Sequence, residues 1–218
     1  MATTVSMTNI VANDGKGWFP ATRGNCAWQL SDITPGDGAA SSIKIIPSGA
    51  GEVTLTSASH ALVAPHKYYV TFKIRFEFAV TGTCDWYWPV AEPAAASGMA
   101  VNAAAGEWTR LSAVFDRASF TDGNYPCRFD YNNNDGGNKT FWFTSCMLVD
   151  LTAAFGAGKE PSKEWLDKHV TAFSDAPTVQ YVDTLGELFK GIADAIRAKS
   201  GQTGEIFACD FADRIRAL

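Results

Sequence analysis

Apolar and polar residues alternate most regularly between Tyr68 and Phe78. Every second residue there is apolar: Tyr68, Val70, Phe72, Ile74, Phe76 and Phe78. The side chains of a β-strand point alternately to its two faces, so the pattern predicts a strand with one buried and one polar face. Slipping the register by one residue would bury Lys73, Arg75 and Glu77, and the pattern therefore also fixes the register.

Residues 106–151 carry three further strand patterns. Leu111 to Phe115 and Tyr125 to Tyr131 alternate with period two, and Phe141 to Leu151 is almost continuously apolar, as expected of a strand covered on both faces. The polar segments RASFTDGN and NNNDGGNK between them are rich in turn-forming residues. Several short strands separated by turns favour an all-β sandwich.

Elsewhere in the first 182 residues, the alternation of apolar and polar residues is weaker. Short strands are predicted at 10–12, 43–46, 53–56 and 84–88, and a short helix over 160–169. Residues 21–42 and 171–182 are predicted to be a loop and a linker, and 91–105 a long loop containing at most one edge strand.

The C-terminal segment predicts a pair of helices. Thr184 and Glu187 have the spacing of a capping box, and Ser200-Gly201 is a typical helix end. Apolar residues at helical spacing form the stripe Leu185, Leu188, Phe189, Ile192 and Ile196, with Phe211 and Ile215 on the second helix. Such short helices need a partner, which is the sandwich, another copy of the chain or another protein.

Composition and charge exclude some classes of function. The chain has 218 residues, a net charge of −5 and no cluster of basic residues, so a nucleic-acid partner is not expected. No apolar run is long enough for a membrane helix, and the start MATTVSMTNIVAND predicts no secretory signal. Widely spaced cysteines are predicted to be buried free thiols of a protein made in a reducing cytoplasm: Cys26, Cys84, Cys127, Cys146 and Cys209.

Four segments resemble the galactose-binding-type jelly roll of carbohydrate-binding modules of families four and nine. They are NIVANDGKGW, KYYVTFKIRF, GEWTRLSAVFD and FWFTSCMLVDL, and the resemblance spans about residues 10–151. It implies a β-sandwich jelly roll over residues 1–152, followed by a short helix and linker at 153–182 and a helical appendage at 183–218.

Two later segments are similar to sequences in structural proteins of phages and prophages of Gram-positive gut bacteria. They are DLTAAFGAGKEPSKEW and LGELFKGIADAIRAKSGQTGEIFACDFADRIRAL. The resemblance implies a virion component of the tail-fibre, baseplate or head-decoration type, assembled in the host cytoplasm. Its partners would be other virion proteins, and the helical tail would form a homo-oligomer such as a trimer or attach the protein.

Aromatic residues are the first candidates for a binding site. A sugar ring stacks on an exposed aromatic side chain while neighbouring polar groups bond its hydroxyls. The candidate glycan site comprises Trp28, Trp86, Trp88, Tyr125, Tyr131, Arg128, Asp130 and Asn132. The alternative is that the rings belong to the core, because aromatic residues dominate sandwich interiors.

Metal and catalytic sites have less support. Asp14 and Asp150, with Asp37, could supply oxygen ligands to a structural calcium ion of the kind that jelly-roll modules of this type hold, but the sequence contains no compact acidic loop. The three histidines show no catalytic arrangement with an acid and a nucleophile, so an enzyme is not expected.

These observations lead to one preferred hypothesis and two alternatives. The preferred one is a non-enzymatic phage virion protein whose jelly roll binds glycans of the host surface or of mucus. The first alternative is a capsid decoration or head-fibre protein that binds protein neighbours and no sugar. The second is an accessory carbohydrate-binding module of an enzyme.

Overall fold

A computed structural model describes residues 3–11, 22–49, 51–90, 94–133, 139–174, 176–181 and 184–201, with side chains except at 3, 22–24, 132–133, 181 and 184–191. The strands are β1 Thr3–Ser6, β2 Thr22–Gly24, β3 Cys26–Ser31, β4 Ser42–Pro47, β5 Gly51–Leu62, β6 Lys67–Phe76, β7 Val80–Tyr87, β8 Ala96–Ala103, β9 Trp108–Asp116, β10 Gly123–Asn133, β11 Phe141–Asp150 and β12 Thr178–Tyr181. The helices are α1 Leu151–Phe155, α2 Lys163–His169 and α3 Thr184–Ser200.

The chain divides into two compact units, Ser6–Val179 and a smaller one made of Met1–Val5 and Gln180–Leu218. The larger unit is a β-sandwich of two five-stranded sheets. The first sheet has the order β2-β5-β10-β7-β8 and the second the order β3-β4-β11-β6-β9, with antiparallel neighbours throughout. The predicted mainly-β fold with a small helical segment is confirmed.

Large side chains from the facing strands fill the space between the sheets. Phe72 of β6 stacks on Trp86 of β7 with ring centroids 5.8 Å apart, and Phe129 of β10 meets Phe143 of β11 at 5.1 Å. Rings offset in this way contribute attraction beyond the area they bury. All residues from Phe141 to Val149 are buried, as the continuous apolar run of this central strand predicts.

Residues 150–173, here called the clasp, fold back over the outer face of the second sheet. Asp150 caps α1 by accepting from the Ala153 amide at 2.9 Å, and its other oxygen lies 2.8 Å from His66 Nδ1. Thr152 donates to Glu160 at 2.8 Å and accepts from the Lys67 amide at 2.9 Å. The phage-like segment DLTAAFGAGKEPSKEW is therefore tied to the start of β6 by its own polar side chains.

Arg110 of β9 fastens the second half of the clasp. Its Nη1 donates to the carbonyl oxygens of Asp167 and Val170, both at 2.9 Å, and its Nε donates to Thr71 Oγ1 at 2.9 Å. The guanidinium also lies over the ring of Phe173, 5.1 Å from its centroid. One planar cation thus satisfies carbonyls at the end of α2 and holds the clasp on the sheet.

Several local predictions differ from the structure. Residues 26–31 form β3 instead of a loop, because Trp28 and Leu30 pair with Ile45 and Ile43 of β4. Phe78 continues the alternation but lies beyond the end of β6 and is 56% exposed. The alternation therefore marks the strand but not where it ends.

The two ends of the larger unit also differ from prediction. Asn9 makes an isolated bridge to Val149 where a strand was predicted at 10–12, and residue 12 lies outside the described residues. Part of the predicted linker forms β12, which pairs with β1 in a two-stranded sheet. Phe173, in the same predicted linker, is buried beneath the two cations of the neighbouring sheet.

Helix α3 in the smaller unit begins at the predicted Thr184 and ends at Ser200. Gly201 follows with φ 72°, the left-handed conformation that favours glycine after a helix. Ala193 and Ile196 are buried. Among the residues that the structure describes, no helix has the length and apolar character needed to cross a bilayer.

Candidate ligand-binding face

The predicted glycan-site residues do not form one surface: Trp28 lies on β3 of the second sheet, and the others are divided between the two faces of the first sheet. Trp86, Trp88 and Tyr131 are fully buried in the core, and Trp28 and Tyr125 pack against it. This is a correction, because a fully buried indole has no face left for a sugar. Trp88 also donates its Nε1–H to the Tyr125 carbonyl at 3.0 Å, which anchors the ring inside.

Arg128 and Asp130 lie on the opposite, outer face of β10. They are two residues apart, so they point the same way, and Arg128 Nε lies 2.9 Å from Asp130 Oδ2. Asn132 continues this row in β10, but its side chain is outside the described ones. The structure thus brings two of the predicted polar residues into direct contact.

Neighbouring strands complete a polar cluster around this contact. On β7, Tyr87 is the register partner of Arg128 and Asp85 that of Asp130. On β5, Thr54 is paired with Asp130. The cluster of Arg128, Asp130, Tyr87, Asp85, Thr54 and Glu52 is here called the polar face.

The ring of Tyr87 packs against the guanidinium of Arg128. The Arg128 guanidinium carbon lies 3.8 Å from the centroid of the Tyr87 ring, which is within the range of a cation–π contact. Tyr87 is only 7% exposed, so on this face the guanidinium plane, and not the aromatic ring, is presented to a ligand. Asp85 accepts from the Gly98 amide at 2.6 Å, which ties β8 to the cluster.

Asp130 is an unusual carboxyl group. Burial, followed by a hydrogen bond with Glu52, raises its pKa to about 8 against the opposing charge of Arg128. The raised pKa favours the protonated form of Asp130. Of this cluster, the partly exposed Arg128 guanidinium can donate hydrogen bonds to a polyhydroxylated ligand, and Asp130 is buried behind it.

Other predicted site residues lie elsewhere. Asp150 caps α1 and pairs with His66, and Asp14 is outside the described residues, so the calcium site stays a prediction. Within the described ranges no three metal-ligating side chains come together. Asp37 instead accepts from Lys73 at 2.7 Å and from Ser145.

The predicted assembly residues lie mostly outside the described side chains: Leu185, Leu188, Phe189, Phe211 and Ile215. Of the remaining two, Ile192 is half-buried and Ile196 is buried. Their role in assembly stays a prediction.

The four described cysteines are free and buried, as predicted, and Cys209 is outside the described residues. Burial raises the pKa of the Cys84, Cys127 and Cys146 thiols well above their ordinary value. Protonated thiols are poor nucleophiles, so these residues fill the core.

Sequence reasoning missed Tyr87, Asp85 and Glu52. Their places on the polar face depend on which residues of β5 and β7 lie opposite β10, and strand pairing is not visible in the sequence. One signal was present: Cys84, Trp86 and Trp88 form an apolar series that alternates with Asp85 and Tyr87. That series marks the tryptophans as inward-facing and their neighbours as outward-facing.

Comparison with known proteins gives structural but no sequence relatives. No protein-family model matches the chain, and neither does any curated protein. The arabinose-bound MgGH51 α-L-arabinofuranosidase shares the fold with a TM-score of 0.50 and 14% identity, over 67% of this chain and 26% of that enzyme.

Two other solved structures are similar at lower scores. A carbohydrate-binding module from Cellvibrio mixtus lichenase 5A, in complex with cellotriose, has a TM-score of 0.45 and 12% identity over 69% of this chain and 98% of the module. The enzymatically active domain of bacteriophage CBA120 tailspike protein 4 has a TM-score of 0.43 and 14% identity over 65% of this chain and 21% of that protein. This chain spans about a quarter of the arabinofuranosidase and a fifth of the tailspike.

Proposed function

We propose that the sandwich binds a glycan through the polar face of the first sheet. The observation that carries the proposal is the partly exposed Arg128 guanidinium on an outer sheet face, which stacks on Tyr87 and is held by the buried carboxyl group of Asp130. The resemblance of the strand segments to carbohydrate-binding modules supports the same ligand class. The binding is non-enzymatic in this proposal.

The proposed setting is a phage virion, with the larger unit facing the host surface or mucus and the smaller unit attaching or oligomerising the protein. The support is the resemblance of the clasp and of the tail segment to phage structural proteins. In the clasp, the phage-like residues bind their own sandwich, so an assembly role is proposed only for the tail after residue 183.

A glycan array probed with the full chain tests the proposal. We expect binding to at least one host-surface or mucin glycan, and a loss of about tenfold or more in affinity for Arg128→Ala, because hydrogen bonds to a charged group are among the strongest contacts with a ligand. Asp32→Asn, an exposed carboxylate on a loop, is the matched control and should bind as the parent does.

The observation that no strongly exposed aromatic ring lies on the described part of this face favours a second candidate function. A structural subunit that binds protein neighbours needs a broad polar contact surface and no stacking platform. An array without any bound glycan, combined with co-purification of the chain with phage particles, would support this alternative and reject the first.

A further inference from the structure

A second surface, on the other sheet, has a composition of its own. Lys44, Trp142, Arg75 and Trp108 are register partners on β4, β11, β6 and β9, and all four side chains point to the outer face of the second sheet. The four residues are here called the cation–aromatic row. It alternates a cation with an indole across the width of the sheet.

The two cations lie against the central indole. Lys44 Nζ is 5.6 Å and the Arg75 guanidinium carbon 4.8 Å from the Trp142 ring centroid. They come from the strands on either side of β11, so they approach the ring from opposite directions. Trp142 is only 7% exposed, and its buried Nε1–H has no acceptor among the described residues.

The adjacent row of the same sheet provides a comparison. It holds Lys73 and Arg110, whose cations lie over the ring of Phe173 at 4.9 and 5.1 Å. There each cation has a carboxylate, Asp37 at 2.7 Å from Lys73 and Asp167 at 4.0 Å from Arg110. The chain therefore neutralises the cations that the clasp covers.

In the part of the chain that the structure describes, the cations of the cation–aromatic row have no such counter-charge. No carboxylate of the described residues lies within 4.0 Å of Lys44 or Arg75, and the acidic residues nearest in sequence, Glu77 and Glu107, are exposed. Arg75 makes one hydrogen bond, from Nε to the Gly106 carbonyl at 2.7 Å, which leaves the outer edge of its guanidinium available. Two half-buried cations without a counter-charge among the described residues stand out in a chain of net charge −5.

We propose that the cation–aromatic row binds an acidic polysaccharide through its carboxylate or phosphate groups. Strands lie about 4.8 Å apart, so β4 and β6, with β11 between them, are separated by roughly 10 Å. Two cations that far apart, with an indole between them, match successive oxyanions of a polymer better than one small anion. Half-buried Trp108 extends the row by one ring on which a sugar can stack.

Calorimetric titration of the full chain tests the proposal. The probes are polygalacturonate for carboxylates, poly(glycerol phosphate) for phosphodiesters and fully methyl-esterified polygalacturonate as the uncharged match. We expect one of the two anionic polymers to bind at low salt, the esterified polymer not to bind, and affinity to fall as salt is raised. Binding of the esterified polymer, or of neither anionic polymer, overturns the proposal.

Variants locate the binding. Lys44→Gln and Arg75→Gln should each weaken binding by about tenfold, whereas the control Lys168→Gln, an exposed lysine of α2, should change it by less than about twofold. Lys44 makes no hydrogen bond within the described part of the chain, so its variant carries the test if Arg75→Gln fails to fold. Equal affinities in all variants reject the site, and Arg128→Ala, which lies on the other sheet, should leave this binding intact.

Discussion

At the scale of single residues, β10 supplies the core and the polar face from one stretch of sequence. Cys127, Phe129 and Tyr131 are fully buried, and Arg128 and Asp130 alternate with them on the outer face. A ligand site assembled from both sets, as residue types alone suggested, is ruled out by the period of the strand. The face of the sheet to which a side chain points, and not its residue type, decides whether it can contact a ligand.

Asp130 makes the stability of the sandwich depend on pH. A carboxyl group ionises near pH 3.9 in an unfolded chain, whereas burial, followed by the hydrogen bond with Glu52, raises the pKa of Asp130 to about 8 in the folded protein. Between these values the folded state holds the extra proton, so this group lowers the free energy of unfolding as pH rises from 4 to 8.

We therefore expect the contribution of Asp130 to fall by at least about 1 kcal/mol between pH 5 and pH 9, which is a decrease of roughly 2–4 °C in melting temperature. Asp130→Asn cannot ionise and should lose most of this decrease, whereas Asp32→Asn should keep it. Melting curves across the pH range measure the difference. Identical pH profiles for all three proteins would show that Asp130 is ionised in the folded state.

At the scale of elements, the strongly alternating strands were predictable and the covering segments were not. The pattern from Tyr68 and the patterns in 106–151 gave β6, β9, β10 and β11, because burial of one face leaves a mark at every second residue. The clasp left no such mark, since its contacts are polar and distant in sequence. Arg110 and Asp167, for example, are 57 residues apart.

Arg110 is expected to be the main fastening of the clasp. Arg110→Lys keeps the charge but cannot reach the Thr71 hydroxyl and the Asp167 and Val170 carbonyls together, so we expect a loss of about 2–4 kcal/mol in the free energy of unfolding. Urea denaturation measures this loss.

Lys163→Ala is the control for that experiment, because it removes the exposed partner of Asp167 in the same region. Exposed ion pairs contribute little, and the expected loss is below about 1 kcal/mol. If the two variants were equally stable, the clasp would not depend on the arginine.

At the scale of the whole molecule, two units with separate roles are proposed. The larger unit, Ser6–Val179, contains both sheets, the clasp and both candidate surfaces. The smaller unit contains α3, the helix that its capping residues and apolar spacing predict, and of the predicted stripe Ile196 is buried. An apolar stripe on a helix indicates that this face is covered in the assembled protein, but it does not identify the covering element.

The proposed assembly role makes a simple prediction about mass. The full chain should be an oligomer in light scattering, and a chain ending at Val179 should be a monomer that keeps the far-ultraviolet circular dichroism of a β-protein. The larger unit ends at Val179, so this truncation keeps the clasp, whereas a chain cut at the predicted end of the jelly roll, residue 152, would lose most of it. A full chain that is already monomeric would contradict self-assembly through the tail.

The most direct test of the central claim is to follow backbone amide chemical shifts while a glycan selected on the array is titrated into the chain ending at Val179. The account predicts that the largest changes lie at Arg128 and Asp130 of β10 and at their neighbours Tyr87 and Thr54, and that they disappear in Arg128→Ala. Changes confined to loops or to the second sheet, or no changes with any glycan of the array, would contradict glycan binding by the polar face.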